Sequence, residues 1–256
     1  MIPSGVQLFL LCIAAFVAGA INSVAGGGTL LTFPALLSIG VPPIAANATS
    51  TVALVPGSFA AFYGYRDELE GSARRELLWF AIPSLIGGVI GALIVDRVGD
   101  RTFARLVPWL IFSATALFAL QPPIKAWLSR VSPHNTGTAR RAPFVIAFQL
   151  VVSIYGGFFG AGMGILMLAA LGLLGLTNIH RMNGVKNFAA VCINGVAAIT
   201  FAILGRVRWS LALVMAVAAI AGGILGARVA KRIGEAHVRR VVIGIGLAIG
   251  LAMLVR

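Results

Sequence analysis

The sequence predicts an all-α integral membrane protein made of two homologous halves, each containing a helix broken by glycine at membrane depth. Three observations carry this. The 256-residue chain is 59% hydrophobic and only 11% charged, with a mean hydropathy of +1.00. It is therefore almost entirely apolar runs of the length, about 20 residues, that crosses a bilayer. Its apolar sequence also occurs twice, since residues 26–53 align with 162–189. Gly26 with Gly162, Asn47 with Asn183 and Ala53 with Ala189 are each 136 apart. Finally, glycines cluster at the head of both copies, as Gly26-Gly27-Gly28 and as Gly160, Gly162 and Gly164. Further on the offset shifts by one, pairing Gly87, Gly88 and Gly91 with Gly222, Gly223 and Gly226, and Gly99-Asp100 with Gly234-Glu235.

Five apolar segments follow in each half. In the first they are 6–25, 29–40, 43–64, 77–96 and 103–120; in the second, 143–161, 164–176, 179–204, 210–230 and 238–255. The second of each set is too short for a regular span. Each follows a glycine cluster, and a break at membrane depth is tolerable only where it faces protein or a cavity. Each half is thus expected to hold a broken or re-entrant helix pair, for eight to ten membrane segments in all. The halves are 1–120 and 143–256. Residues 121–142, with Pro122-Pro123 and a Ser/Thr/Asn/Gly-rich stretch, read as a polar linker between them. Residues 6–25 read as a retained first span, because the first basic residue is Arg66 and a signal peptide begins with positive charge. Cys12 and Cys192 lie inside apolar spans without ligand spacing, and read as packing residues. Gly87-xxx-Gly91, Gly222-xxx-Gly226 and Gly246-xxx-Gly250 allow close helix approach, inside the bundle or at a homodimer contact.

The net charge of +13 does not point to nucleic acid, because the basic residues sit in short loops between apolar spans. If the halves are inverted, one face carries Arg66, Arg74, Arg75, Lys125, Arg130, Arg140, Arg141, Arg228, Lys231, Arg232, Arg239 and Arg240. The other carries Arg97, Arg101, Arg105, Arg206, Arg208 and Arg256. The richer face is expected to be cytoplasmic, and inverted repeats are favoured over parallel ones.

All seven acidic residues lie in loops or at span ends, which argues against a carboxylate relay and against a cation substrate. Two basic residues are the exception to the loop rule. Arg181 and Lys186 lie in the first turns of 179–204, where positive charge is costly unless water or an anion compensates it. Arg181 reads equally well as a residue snorkelling to the interface. Lys186 lies deeper, and Asn183, Lys186 and Asn187 fall at i, i+3 and i+4 on one face. Asn194 returns to that face three turns on. The first half repeats the stripe as Asn47, Ser50, Thr51 and Ser58. Facing stripes of amide and hydroxyl groups with one lysine replace the hydration shell of an oxyanion. The short helices after Gly28 and Gly164 add positive ends aimed at the centre. The candidate substrate-binding set is therefore Asn47, Ser50, Thr51, Asn183, Lys186, Asn187, Asn194, Arg181, Gly26, Gly27, Gly28, Gly162 and Gly164. His134, His180 and His237 have no paired carboxylate or cysteine at ligand spacing, so no catalytic group, metal or cofactor is expected.

The stretch AGAINSVAGGGTLLTFPALLSIGVPPIAANATSTVALVPGSFAAFYGYR resembles the first signature of the TauE/SafE sulfite-exporter family, and HRMNGVKNFAAVCINGVAAITF resembles its second. The resemblance implies a bacterial inner-membrane permease exporting sulfite, sulfoacetate or a related organosulfonate. GGG in the first half becomes GAGMG in the second, and Ser50 becomes Lys186, so a central site is expected to be asymmetric. A potential negative inside drives an anion outward by about 2.3 kcal/mol per charge per 100 mV. An anion channel would use the same residues without alternating access. A non-transporting assembly subunit would have no need of Lys186 and its Asn neighbours.

Overall fold

The computed structural model describes residues 4–24, 26–69, 74–131, 138–174, 176, 178–233 and 235–254. Within these, the side chains of 24, 74–76, 125, 127–131, 138–142, 227–233, 235–239, 241–242 and 252–254 lie outside the description. Gly234 and His134 lie outside it too. So do most of the basic side chains used to weigh the two faces: Arg74, Arg75, Lys125, Arg130, Arg140, Arg141, Arg228, Lys231, Arg232, Arg239 and Arg256.

Among the described residues ten α-helices follow one another: α1 Gly5–Val24, α2 Thr29–Ser38, α3 Pro43–Gly64, α4 Arg74–Val98, α5 Asp100–Val131, α6 Thr138–Phe158, α7 Met163–Leu173, α8 Ile179–Ile203, α9 Trp209–Ile233 and α10 Glu235–Leu254. A 3-10 turn, Arg66–Leu69, follows α3. Among the described residues six of these helices are long and apolar enough to cross a membrane, whereas α2 and α7 are not. The two glycine-headed segments are thus short helices, as their length requires. Large apolar side chains such as Val6, Phe9, Leu10, Leu213 and Val217 point outward from α1 and α9, the surface that hydrocarbon covers.

The linker differs from the sequence expectation at both ends. Residues 121–131 are helix, because α5 continues through Pro122 and Pro123 to Val131, and residues 138–142 already belong to α6. Each proline removes a backbone donor, yet Phe118 and Gln121 are buried against the bundle, and that packing overrides the local preference.

The packing repeats when the halves are exchanged. α4 packs on α6 and α8, and its counterpart α9 packs on α1 and α3; α3 meets α8, and α5 meets α10. The fourth helix of each half is therefore inserted between the first and third helices of the other. Directions follow from which residues meet. α1 runs alongside α9 in the same sense, Phe16 beside Gly222 and Ala20 beside Gly226. α4 and α6 do likewise, with Gly87 beside Ser153 and Gly91 beside Phe158. The equivalent pair α3 and α8 runs in opposite senses: the ring of Tyr65 stacks on that of His180, while the Arg208 amide donates to Thr49 Oγ1 at 3.0 Å. α5 and α10 are also opposed, Thr115 lying beside Gly246 and Phe112 beside Gly250. Gln7 and residues 39–42 line one recess with Arg208, so α2 returns to the end from which α1 starts.

That end also carries two of the four described carboxylates, the other two, Asp67 and Glu68, lying in the turn after α3. Arg206 Nε lies 2.6 Å from Asp96 Oδ1, and Asp100 Oδ1 accepts the Ile44 amide at 2.8 Å, placing a carboxylate on the positive end of α3.

Glycine makes these contacts possible. A methyl on Gly91 would enter the van der Waals shell of the Ile154 carbonyl, and nothing lies within 4 Å of one on Gly195. Thermal melts in detergent are expected to show Gly91→Ala strongly destabilised. Gly195→Ala is expected to be neutral or stabilising by up to about 1 kcal/mol, the helix preference of Ala over Gly.

Candidate functional site

Both helix breaks depend on the left-handed backbone that glycine adopts without a Cβ penalty. φ is 73° at Gly26 between α1 and α2, and 76° and 78° at Gly160 and Gly162 between α6 and α7. The two breaks meet. The Gly162 amide donates to the Gly26 carbonyl at 3.2 Å, and a Cβ on Gly26 would stand 2.7 Å from Gly164 Cα. At Gly26 only glycine permits this approach.

A helix that stops inside the protein leaves its last carbonyls without partners, and the third helix of the opposite half supplies them. Lys186 Nζ donates to Asn22 O at 3.1 Å and to Ser23 O at 3.3 Å. Asn187 Nδ2 also donates to Ser23 O, at 3.3 Å. On the other side Asn47 Nδ2 donates to Phe158 O at 3.0 Å. Asn22 and Phe158 are themselves 136 apart, so equivalent carbonyls are capped in the two halves. One cap is an amide and the other an ammonium. Lys186 is only 1% exposed, and a cation at a helix C-terminus is favourable by about 0.3–1 kcal/mol, up to about 2 when partly buried. The α1 end thus compensates part of the burial cost of the charge.

Beside this contact lies a small cavity lined by Asn22, Gly26, Ser58, Met163, Gly164, Lys186, Asn187, Ala190 and Asn194. The space open to the centre of a water-sized sphere is about 10 Å³, room for about one water. The cavity beside these polar groups is therefore small. Five of the sequence candidates line it: Gly26, Gly164, Lys186, Asn187 and Asn194, joined by Ser58 from the first-half stripe.

The other candidates sit close by with different tasks. Gly27 packs under the Phe118 ring and Gly28 against Ala18, and the Gly28 amide donates to Asn22 Oδ1 at 2.7 Å. Gly162 holds the contact between the breaks. Asn47 caps α6. The Ser50 hydroxyl lies 2.5 Å from Thr32 Oγ1, and the Thr51 hydroxyl returns to Asn47 O in its own helix at 2.9 Å. Asn183 is buried but does not line the cavity, and its Oδ1 has no hydrogen-bond partner among the described residues; the same is true of Asn47 Oδ1. These two amide oxygens occupy equivalent positions of the repeat. Arg181 is half-buried in the first turn of α8, its amide capped by Asn178 Oδ1 at 3.2 Å. It is not a lining residue either.

Asn22, Met163 and Ala190 were not picked out by the sequence reading. Asn22 had a usable signal, an amide side chain in an apolar run just before a glycine cluster. Its repeat partner is Phe158, so repeat matching alone does not single it out.

The family model for sulfite exporter TauE/SafE matches residues 11–253. A probable membrane transporter protein of Sinorhizobium sp is 29% identical, covering 96% of this chain and 92% of the relative. One from Haemophilus influenzae is also 29% identical, over 91% of this chain and 89% of its own. The probable membrane transporter protein YfcA of Escherichia coli is 26% identical, over 98% and 91%. No solved structure matches.

Proposed function

We propose that this chain, which belongs to the sulfite exporter TauE/SafE family, exports a small sulfur-containing anion such as sulfite, sulfoacetate or another organosulfonate from a central site between its halves. It is a multi-pass membrane transporter of that type; the substrate, the site and a bacterial inner-membrane location are our reading. The observation that carries it is the position of Lys186: a buried ammonium on a cavity where two glycine breaks meet, ringed by Asn22, Ser58, Asn187 and Asn194. Donor groups of this kind replace the water around an oxyanion, and a fixed cation offsets its charge.

We read the halves as inverted repeats. The opposed directions of α3 against α8 and of α5 against α10 support this, because equivalent spans related by an axis along the membrane normal would run the same way. In such carriers the site stays near the middle while one set of helices rocks against the other. Here the fourth helix of each half, held between helices of the other, supplies the moving contact. The small cavity where the breaks meet is then the place that rocking opens to either side.

Proteoliposomes loaded with radiolabelled sulfite, sulfoacetate or 2-hydroxyethanesulfonate test the reading. Efflux of at least one of them is expected to exceed that from protein-free vesicles, and to quicken when the interior is made negative. Folded protein that moves none of the three would overturn the proposal.

A further inference from the structure

We propose that Asn22 is a specificity-determining donor of the central site, its amide held so that Nδ2 is the end a transported anion meets; this rests on the transport reading above. Asn22 lies at the broken end of α1 and lines the cavity beside Lys186 and Asn187. It is fixed at two points. Its backbone carbonyl accepts from Lys186 Nζ at 3.1 Å, and its side-chain oxygen accepts from the Gly28 amide at 2.7 Å, across the break. A backbone N–H can only donate, so the side-chain atom it meets is Oδ1. The nitrogen of the same planar amide is thereby turned away from Gly28. Nδ2 has no hydrogen-bond partner among the described residues, yet it is not sealed in protein.

A tie across a helix break needs only one polar atom. The second break shows this: the Tyr155 hydroxyl donates to Ala161 O at 2.6 Å, and Tyr155 does not line the cavity. Asn22 brings a second polar atom, whereas its repeat partner Phe158 brings none. Two neighbouring amide nitrogens already serve backbone, Asn187 Nδ2 at Ser23 O and Asn47 Nδ2 at Phe158 O. The nitrogen of Asn22 is left for a ligand.

A fixed donor selects by chemistry. An unheld amide can turn over and offer its oxygen instead. At Asn22 turning over would set Nδ2 against the Gly28 N–H, two donors with no acceptor between them. The site therefore always presents N–H at this point, which an oxygen of sulfite or of a sulfonate group satisfies and a cation does not.

Proteoliposomes holding the full chain test this with sulfite, sulfoacetate and 2-hydroxyethanesulfonate. Asn22→Asp keeps an oxygen for the Gly28 amide but replaces the donor with negative charge. Its melting temperature is expected not to fall, while flux of whichever anion the wild type moves fastest drops at least about 100-fold. Flux within about threefold of wild type would overturn the assignment. Asn22→Leu adds no charge and gives a readout that does not depend on how much protein folds. Its KM is expected to rise at least about 10-fold, the loss of one hydrogen bond to a charged group. Lower flux at an unchanged KM would make Asn22 a tie across the break and overturn the donor role, leaving transport standing. Absence of wild-type flux with all three anions overturns the transport reading, and the role of Asn22 with it.

Discussion

Lys186→Ala is expected to lower anion flux in proteoliposomes at least about 100-fold, while the variant still inserts and purifies. Two separate losses follow from the substitution. The cavity loses the charged group among its described lining residues, so a bound anion would be buried without that partner, which costs several kcal/mol. The Asn22 and Ser23 carbonyls also lose the ammonium that holds them at 3.1 and 3.3 Å, at about 1–3 kcal/mol of stability. The second loss is cushioned, because Asn187 Nδ2 still reaches Ser23 O. Flux and melting temperature, measured on the same preparation, separate the roles. A lower melting temperature with unchanged flux would make Lys186 a helix cap and nothing more. Lys186→Met keeps the length of the side chain without its charge, and is expected to fail in flux as Lys186→Ala does. Lys186→Arg keeps the charge but adds volume beside a cavity with room for about one water, and is expected to retain only part of the flux.

The second large effect is expected at Gly26. In Gly26→Ala the new methyl meets two penalties. The residue must hold φ at 73°, a strain of about 1–3 kcal/mol. Its Cβ would also stand 2.7 Å from Gly164 Cα, and backbone cannot turn aside as a flexible side chain can. The breaks must then separate, which stretches the bond from the Gly162 amide to Gly26 O and shifts the carbonyl end that Lys186 holds. We expect little folded protein by size-exclusion chromatography, and no transport from what remains. Gly205→Ala isolates the first penalty: φ there is 68°, with nothing within 4 Å of the added methyl. It is expected to lose only the strain energy and to keep its flux. Equal behaviour of the two variants would mean that contact between the breaks contributes nothing.

Much of this architecture was legible from the chain because its causes are local. Apolar runs of bilayer length must become helices, since hydrocarbon leaves no other partner for backbone groups. Runs of 10 and 11 residues, as in α2 and α7, cannot cross. Glycine clusters mark where a helix may stop, and the spacing of Asn183, Lys186, Asn187 and Asn194 puts polar groups on one stripe of α8. Membrane class, two-fold repetition, the broken helices and most of the cavity lining follow from these facts.

Partners did not follow, because a partner is a relation between distant parts of the chain. Lys186 is 164 residues from the carbonyl of Asn22 that it holds, and no pattern within α8 announces that contact. Asn47 and Asn183 are equivalent in sequence, yet one caps a broken helix and the other is replaced in that task by a lysine one turn on. The passage of α5 through two prolines was likewise decided by what buries Phe118 and Gln121, not by the prolines. Hydropathy and backbone freedom thus determined which segments are helices and where they break. Only the interlocking of the halves, through the close packing that glycine permits, decided which carbonyl ends, amides and charge share the centre.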